Sequence, residues 1–151
     1  MYELVIAGEG EAASGAKKRA AEFGLSNRVR FTGYVRGLDK ARVLLDACIF
    51  VLPTYHQEGL PNSILEAMGA GAVVVTSKAG GIPEIVKSPD NGIILDDINP
   101  TSISNALIKI LEDKPYISEV SRRNRAIART HFESHVVTRR IENLYKEIAA
   151  E

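Results

Sequence analysis

Residues Cys48 to Thr76, CIFVLPTYHQEGLPNSILEAMGAGAVVVT, decide how this chain folds. Cys48-Ile49-Phe50-Val51-Leu52 is an unbroken apolar run of strand length, and Pro53 stops it because proline has no N–H with which to continue a ladder. Pro61 stands where the first residue of a helix belongs, since its fixed φ suits the helix and its missing N–H is not needed there. That helix is expected to run to about Ala70, with Gly71 marking its end and Val73-Val74-Val75-Thr76 forming the next strand. Strand, helix and strand in this order make a βαβ unit, and near-continuous apolar strands are the mark of a parallel sheet covered on both faces.

The pattern repeats outward. Tyr2 to Ala7 reads as a buried strand closed by Gly8-Glu9-Gly10, followed by a helix from about Glu11 to Phe23 with Gly24 at its C-cap. Arg28-Val29-Arg30-Phe31-Thr32 alternates as a second strand before Gly33, and Leu38, Val43, Leu44 and Leu45 have helical spacing. On the other side, Gly80-Gly81-Ile82-Pro83-Glu84 is a loop opening a short helix to about Val86, and Gly92-Ile93-Ile94-Leu95 is a fifth strand. Everything after Pro100 reads as helix. Pro115 divides this tail, and the last helix, Ser134 to about Ala149, puts Val137, Ile141, Leu144, Tyr145 and Ile148 on one face. The expected fold is therefore α/β, a Rossmann-like doubly wound parallel sheet of about five strands, in one domain with an α/β core over 1–99 and helices over 100–151. Ligands of such sheets bind outside the carboxyl ends of the strands, here the loops at Gly8, Gly33, Pro53 and Ser77.

Bulk properties exclude several functions. A chain of 151 residues is long enough to bury about two thirds of its unfolded surface without disulfide or metal. Lys plus Arg and Asp plus Glu both number 19, so no global field draws in nucleic acid, and none is expected as a partner. No apolar run approaches the roughly 20 residues that span a bilayer. The start of the sequence shows no basic leader, which makes the cytoplasm the expected compartment, with a peripheral position at the inner face of the membrane as an option. Arg122-Arg123-Asn124-Arg125 with Arg129 reads as a solvated helix face, the alternative being a contact with anionic lipid or a lipid-linked acceptor. Cys48, the only cysteine, reads as a buried structural thiol within its apolar run.

The chemistry concentrates between Pro53 and Gly71. Free backbone N–H groups at the start of the expected helix, around Gly59, Leu60 and Asn62, are a ready site for a phosphate or an electron-rich sugar oxygen. Glu58 lies just before that helix and Glu66 about two turns inside it, placing two carboxylates at different levels of one wall. Such a pair suits the grip of two parts of an elongated ligand; alternatively, Glu58 caps the helix and Glu66 is a solvated surface acid. His56 is placed to touch substrate or to sit exposed in a loop. His56, His131 and His135 lack metal-ligand spacing, and no Asp-x-Asp occurs.

Glu58 and Glu66, with Gly-Leu-Pro-Asn-Ser directly after the first, closely resemble the signature of the group 1 family of retaining glycosyltransferases with the GT-B fold. Leu4 to Gly10, Val29 to Val35, Phe50 to Thr54, Val73 to Thr76, Gly80 to Glu84, Gly92 to Leu95 and the ending Phe132 to Tyr145 extend the resemblance over essentially the whole chain, in family order. What it covers is the C-terminal, donor-binding half of GT-B. The resemblance implies transfer of a sugar from a UDP- or GDP-sugar donor to a glycan or lipid-linked acceptor, as in polysaccharide biosynthesis, with retention of configuration and no metal or other cofactor. It implies a catalytic place for Glu58 on hydroxyls of the transferred sugar, and for Glu66 on the ribose hydroxyls of the nucleotide. Gly59, Leu60, Pro61 and Asn62 would line sugar and phosphate, while Gly33, Tyr34 and Val35, with Gly8, would hold the nucleobase side. Gly80 and Gly81 would let the chain pass close to the ligand, or serve only as a tight loop.

In the family, the donor domain begins with one more strand and helix, carrying an Arg and a Lys that neutralise the diphosphate. That unit, and the N-terminal acceptor-binding domain, would precede Met1. Without the two cations, weak nucleotide binding and no transfer are expected of this polypeptide alone. The missing strand belongs at the middle of the family's sheet, so strand order 2-1-3-4-5 is expected by closure, with a persistent gap as the alternative. The resemblance also implies that the last helix crosses onto the absent N-terminal domain. Two other readings remain: a non-catalytic nucleotide-sugar-binding module or subunit of a split transferase, and a nicotinamide enzyme suggested by Gly8-Glu9-Gly10-Glu11-Ala12-Ala13. Against the latter, Glu9 and Glu11 would face the pyrophosphate, and no acid ends the second strand to take a ribose.

Overall fold

The alternation of strand and helix holds through residues 2–56 and 59–150, the part of the chain that the computed structural model describes. In chain order the elements are β1 (Leu4–Ala7), α1 (Ala12–Glu22), β2 (Val29–Gly33), α2 (Gly37–Asp46), β3 (Ile49–Leu52), α3 (Asn62–Ala70), β4 (Val73–Ser77), α4 (Ile82–Ile85), β5 (Gly92–Leu95), α5 (Pro100–Glu112), α6 (Lys114–His131) and α7 (Ser134–Ile148). All strand pairs are parallel, and the fold is α/β as the sequence predicts. The chain divides into two compact units, Met1–Val43 and Leu44–Glu151.

In the first unit, β1 pairs with β2 in the register Leu4↔Val29, Val5↔Arg30 and Ile6↔Phe31. The expected burial of β1 does not occur: Leu4 is 52% exposed, and α1 has no buried residue. Two short strands with α1 and most of α2 enclose too little space to bury a side chain on every side. The Lys17 ammonium lies 5.6 Å from the centre of the Phe31 ring, covering one aromatic face with a cation.

The second unit holds a three-stranded sheet in the order β3-β4-β5. Its central strand is buried at every position, which explains the uninterrupted valines: a strand with neighbours on both edges and helices on both faces has no solvent side to leave polar. Successive side chains alternate between two cores. Val74, with Phe50 and Leu52 of β3 and Ile94 of β5, meets Ile64 and Met68 of α3 and Ile82 of α4. Val73 and Val75, with Ile49 and Val51, meet Ala106 and Ile110 of α5 and Val120 of α6. Glycine at the start of β5 allows the ladder to close, because a Cβ on Gly92 would stand 2.5 Å from the Val74 carbonyl oxygen.

The closed order 2-1-3-4-5 is not formed. The strands pair in two separate sheets, β1-β2 and β3-β4-β5, and no β1–β3 pairing occurs. Among the described residues no strand pairs in the place where the resemblance puts one more strand. The buried-thiol reading of Cys48 also fails. Its carbonyl accepts from Val73 N at 2.9 Å, but it precedes β3 and its thiol side is exposed.

Helix α6 starts cleanly, with the Asp113 carboxylate capping Tyr116 N and Pro115 in the first turn. Its first half packs into the α5 core through Val120, and its second half reaches the α3 core through Ile127. Between them, fully buried Asn124 donates from Nδ2 to the carbonyls of Ala72 and Asn91, both at 2.9 Å. These carbonyls immediately precede β4 and β5, so one amide clasps the amino ends of both strands to the helix that spans them. Asn91 carries the network on, accepting from Lys87 N and donating to Ile85 O. Among the described residues no helix is long and apolar enough to cross a membrane.

Replacing Asn124 by Ala strands two buried carbonyls and opens a small cavity, and should destabilise the fold by about 2 kcal/mol, read as a lower denaturant midpoint with unchanged m. Tyr116 gives an alkaline counterpart. Burial raises its phenol above 10.0, and its hydroxyl donates to the Pro89 carbonyl at 2.8 Å. The unfolded chain therefore loses this proton first, so the contribution is constant below pH 10.0 and declines above it. Tyr116→Phe should remove that decline in a pH series of thermal melts.

Candidate functional site

Helix α3 is fixed by its buried face and capped by its ends. Ile64, Ala67 and Met68 are fully buried, each contributing on the order of 1–3 kcal/mol. Gly71 takes the left-handed conformation (φ 90°) that ends the helix, and its amide bonds back to Met68. Arg125 of α6 donates from Nε and Nη2 to the carbonyl of Ala70, satisfying the last turn. At the other end Pro61 is the N-cap, with φ −62° and ψ 122°, one residue earlier than its expected place inside the helix. It supplies no side-chain cap; its carbonyl accepts from Ile64 N at 3.0 Å, which leaves the Asn62 and Ser63 amides as those without an acceptor inside the helix.

Around this helix start, Gly59 and Asn62 are exposed and Leu60 and Pro61 half-buried, with Leu60 packed on the α3 core. Glu66 is exposed and is the fifth residue of α3, about one turn from its start instead of the expected two. Glu58, the expected sugar-binding acid, lies outside the described residues.

The β3–α3 connection is held by the loop that follows β4. The paired register ends at Leu52↔Thr76, and the Thr76 hydroxyl donates to Leu52 O at 2.8 Å. Beyond it, the Ser77 hydroxyl accepts from Thr54 N at 3.0 Å and donates to Thr54 O at 2.5 Å. The Thr54 hydroxyl in turn accepts from His56 N at 3.1 Å. Near the helix, Gly81 N donates to Gly59 O at 2.8 Å. A Cβ on Gly81 would lie 3.2 Å from that oxygen. Close passage at Gly81 is thus a contact of chain with chain.

At the carboxyl ends of β3, β4 and β5 a cavity of 190 Å³ is lined by Thr54, Tyr55, Ser77, Lys78, Asp96 and Ile98 among others. Tyr55 bridges it, its hydroxyl donating to Ile98 O at 3.3 Å. A larger hollow of 550 Å³ lies beside Asn91, with Ile85, Ile127 and Phe132 forming apolar parts of its wall. Glu66, Gly59, Leu60, Pro61 and Asn62 line neither hollow.

In the first unit the expected residues also gather at carboxyl ends. Gly8 N donates to Gly33 O at 2.8 Å, tying the end of β1 to that of β2. Gly8 and Gly33 both have positive φ, 131° and 66°, where glycine is the least strained residue. Tyr34 is 71% exposed, and Val35 is half-buried. Tyr34 N donates to the Glu9 carboxylate at 3.3 Å, and a Cβ on Gly33 would meet the same Glu9 oxygen at 3.2 Å.

Sequence reasoning marked the loop at Ser77 for ligands but gave its hydroxyl no role, and gave none to Thr54 or, outside the nicotinamide reading, to Glu9. The signal for Ser77 was a hydroxyl at the end of an otherwise apolar strand, facing a neighbour whose ladder stops at Pro53. For Glu9 the only signal was an acid between two glycines. Among the described residues, no group of three or more His, Cys, Asp or Glu side chains is arranged to hold a metal.

Comparison with known proteins follows the same lines. The family model for glycosyl transferases group 1 matches residues 1–130. The chain is 26% identical over 153 residues to the amylovoran biosynthesis glycosyltransferase AmsK of Erwinia amylovora, covering 98% of this chain and 38% of that protein. It is 36% identical over 111 residues to an uncharacterized glycosyltransferase of Methanocaldococcus jannaschii, covering 73% of this chain and 28% of that one. Among solved structures, Anabaena HepE in complex with UDP and glucose is similar with a TM-score of 0.83 at 22% identity, covering 96% of this chain and 40% of HepE. That last likeness is one of fold. The chain spans about two fifths or less of the length of these relatives.

Glu9→Gln should weaken the hold on the Tyr34 amide, because a neutral amide oxygen is a poorer acceptor than a carboxylate. Faster hydrogen exchange at Tyr34, with Leu4 to Ile6 unchanged, is the expected result.

Proposed function

Because the chain belongs to the group 1 glycosyl transferases, we propose that it is the donor-binding part of a retaining, metal-independent transferase. Its donor is a nucleotide-diphosphate sugar and its acceptor a glycan or lipid-linked glycan. The observation that carries this reading is the family match over residues 1–130, which includes the exposed start of α3 and Glu66. HepE, with the same fold, is solved with UDP and glucose, which favours a UDP-sugar over a GDP-sugar.

Each role has a physical basis. Glu66 is exposed on α3, and an ionised carboxylate accepts two hydrogen bonds from a vicinal diol, as the ribose offers. The first-turn amides of α3 and the positive end of its dipole stabilise charge on the departing diphosphate. Gly59, Leu60, Pro61 and Asn62 line the sugar and phosphate, Pro61 through its carbonyl and ring only. Glu58 takes the hydroxyls of the sugar. Gly8, Gly33, Tyr34 and Val35 border the nucleobase. The absence of Asp-x-Asp from the sequence is consistent with charge neutralisation by amides and cations instead of a metal.

A polypeptide of these 151 residues alone should bind donor weakly and transfer nothing, since it spans about two fifths or less of the length of its relatives. Turnover by purified chain with donor and acceptor would refute that. In a thermal-shift panel of UDP, GDP, ADP and their sugars, a true ligand at ten times its Kd should add about 1.4 kcal/mol, or roughly 3–5 °C in Tm. EDTA should leave the shift unchanged. Glu66→Gln should weaken binding of the preferred nucleotide about tenfold, while a variant equal to the unaltered chain would remove Glu66 from the site.

A further inference from the structure

Two described side chains of the connection between β3 and α3 are anchored: the Tyr55 hydroxyl donates to Ile98 O at 3.3 Å and Leu60 packs on the α3 core. Among its described residues Pro53, Thr54 and Leu60 are half-buried, while Tyr55, His56 and Gly59 are exposed. The backbone of Thr54 and of Gly59 is held from outside, by the end of β4 and by the β4–α4 loop. Pro53 cannot donate, so the β3–β4 ladder has no ordinary continuation past Leu52↔Thr76. The Ser77 hydroxyl, on a residue only 4% exposed, closes both backbone groups of Thr54 on itself. Thr54 then passes the constraint to His56 N through its own hydroxyl. At the far end, Gly81 N holds Gly59 O. The α3 helix differs: its position is fixed independently by Ile64, Ala67 and Met68 in the core.

We propose that Ser77 is a positioning residue that sets Thr54 to His56 at the start of the β3–α3 connection and so governs recognition of the transferred sugar, without governing recognition of the nucleotide. This rests on the donor-binding reading, in which the connection faces the sugar and Glu66 of α3 holds the ribose. Removing the hydroxyl leaves Thr54 N and O without their shared partner and frees the segment to move. Glu66 keeps its place because packing, not this hydrogen bond, holds α3.

The test is a pair of titrations by NMR on the 151-residue chain, with UDP and with UDP-glucose as probes. Ser77→Ala should weaken UDP-glucose about five- to tenfold and leave UDP within about twofold. Ser77→Thr, which keeps the hydroxyl, should restore the UDP-glucose affinity. Should Ser77→Ala fail to fold, Ser77→Cys makes the same comparison with a side chain of similar size and a weak thiol donor. Equal loss for both probes, or loss for neither, overturns the positioning role and leaves the donor-binding reading standing. An unaltered chain that binds neither probe overturns both.

Discussion

Complete burial of β4 is the constraint from which the second unit follows. A strand with backbone partners on both edges and helices over both faces must satisfy every polar group internally and fill two cores at once. Val74 serves one core, Val73 and Val75 the other, and Gly92 allows β5 to approach the strand closely. Where the apolar residues of β4 end, Thr76 and Ser77 turn their hydroxyls to the backbone of the neighbouring chain. The same strand therefore anchors the fold at its middle and the candidate site at its carboxyl end.

The amino end has its own lock. Asn124 binds the residues entering β4 and β5 from a helix whose two halves serve opposite cores. A buried amide that satisfies two carbonyls also fixes the rotation of α6, because no other orientation pairs both. Its Oδ1 has no partner among the described residues. This end of the sheet is held by a side-chain network and the other by hydroxyls on the backbone, which leaves the carboxyl-end surface open around Gly59 and Asn62.

The first unit is built differently. Its two strands are joined at their carboxyl ends by Gly8 N on Gly33 O, and Glu9 folds its carboxylate onto Tyr34 N. No side chain among its described residues is buried. The family match nevertheless includes its residues. Sequence likeness to a binding surface is thus independent of how much core a segment encloses.

Periodicity and punctuation alone determined the order and type of the elements. Apolar runs of strand length, Pro53 and Pro61 around the β3–α3 connection, and Gly71 after α3 are local signals, because backbone sterics act over a few residues. The family signature around Glu66 was equally local, and it pointed to the family before any coordinate. Only tertiary structure decided the rest. Whether β1 would meet β3, whether Cys48 would be covered, and that Ser77 would take both backbone groups of Thr54 depend on which distant segments approach one another. A sequence records which residues favour a strand or a turn. The partner that a strand edge or a hydroxyl finds is set by packing of the whole chain.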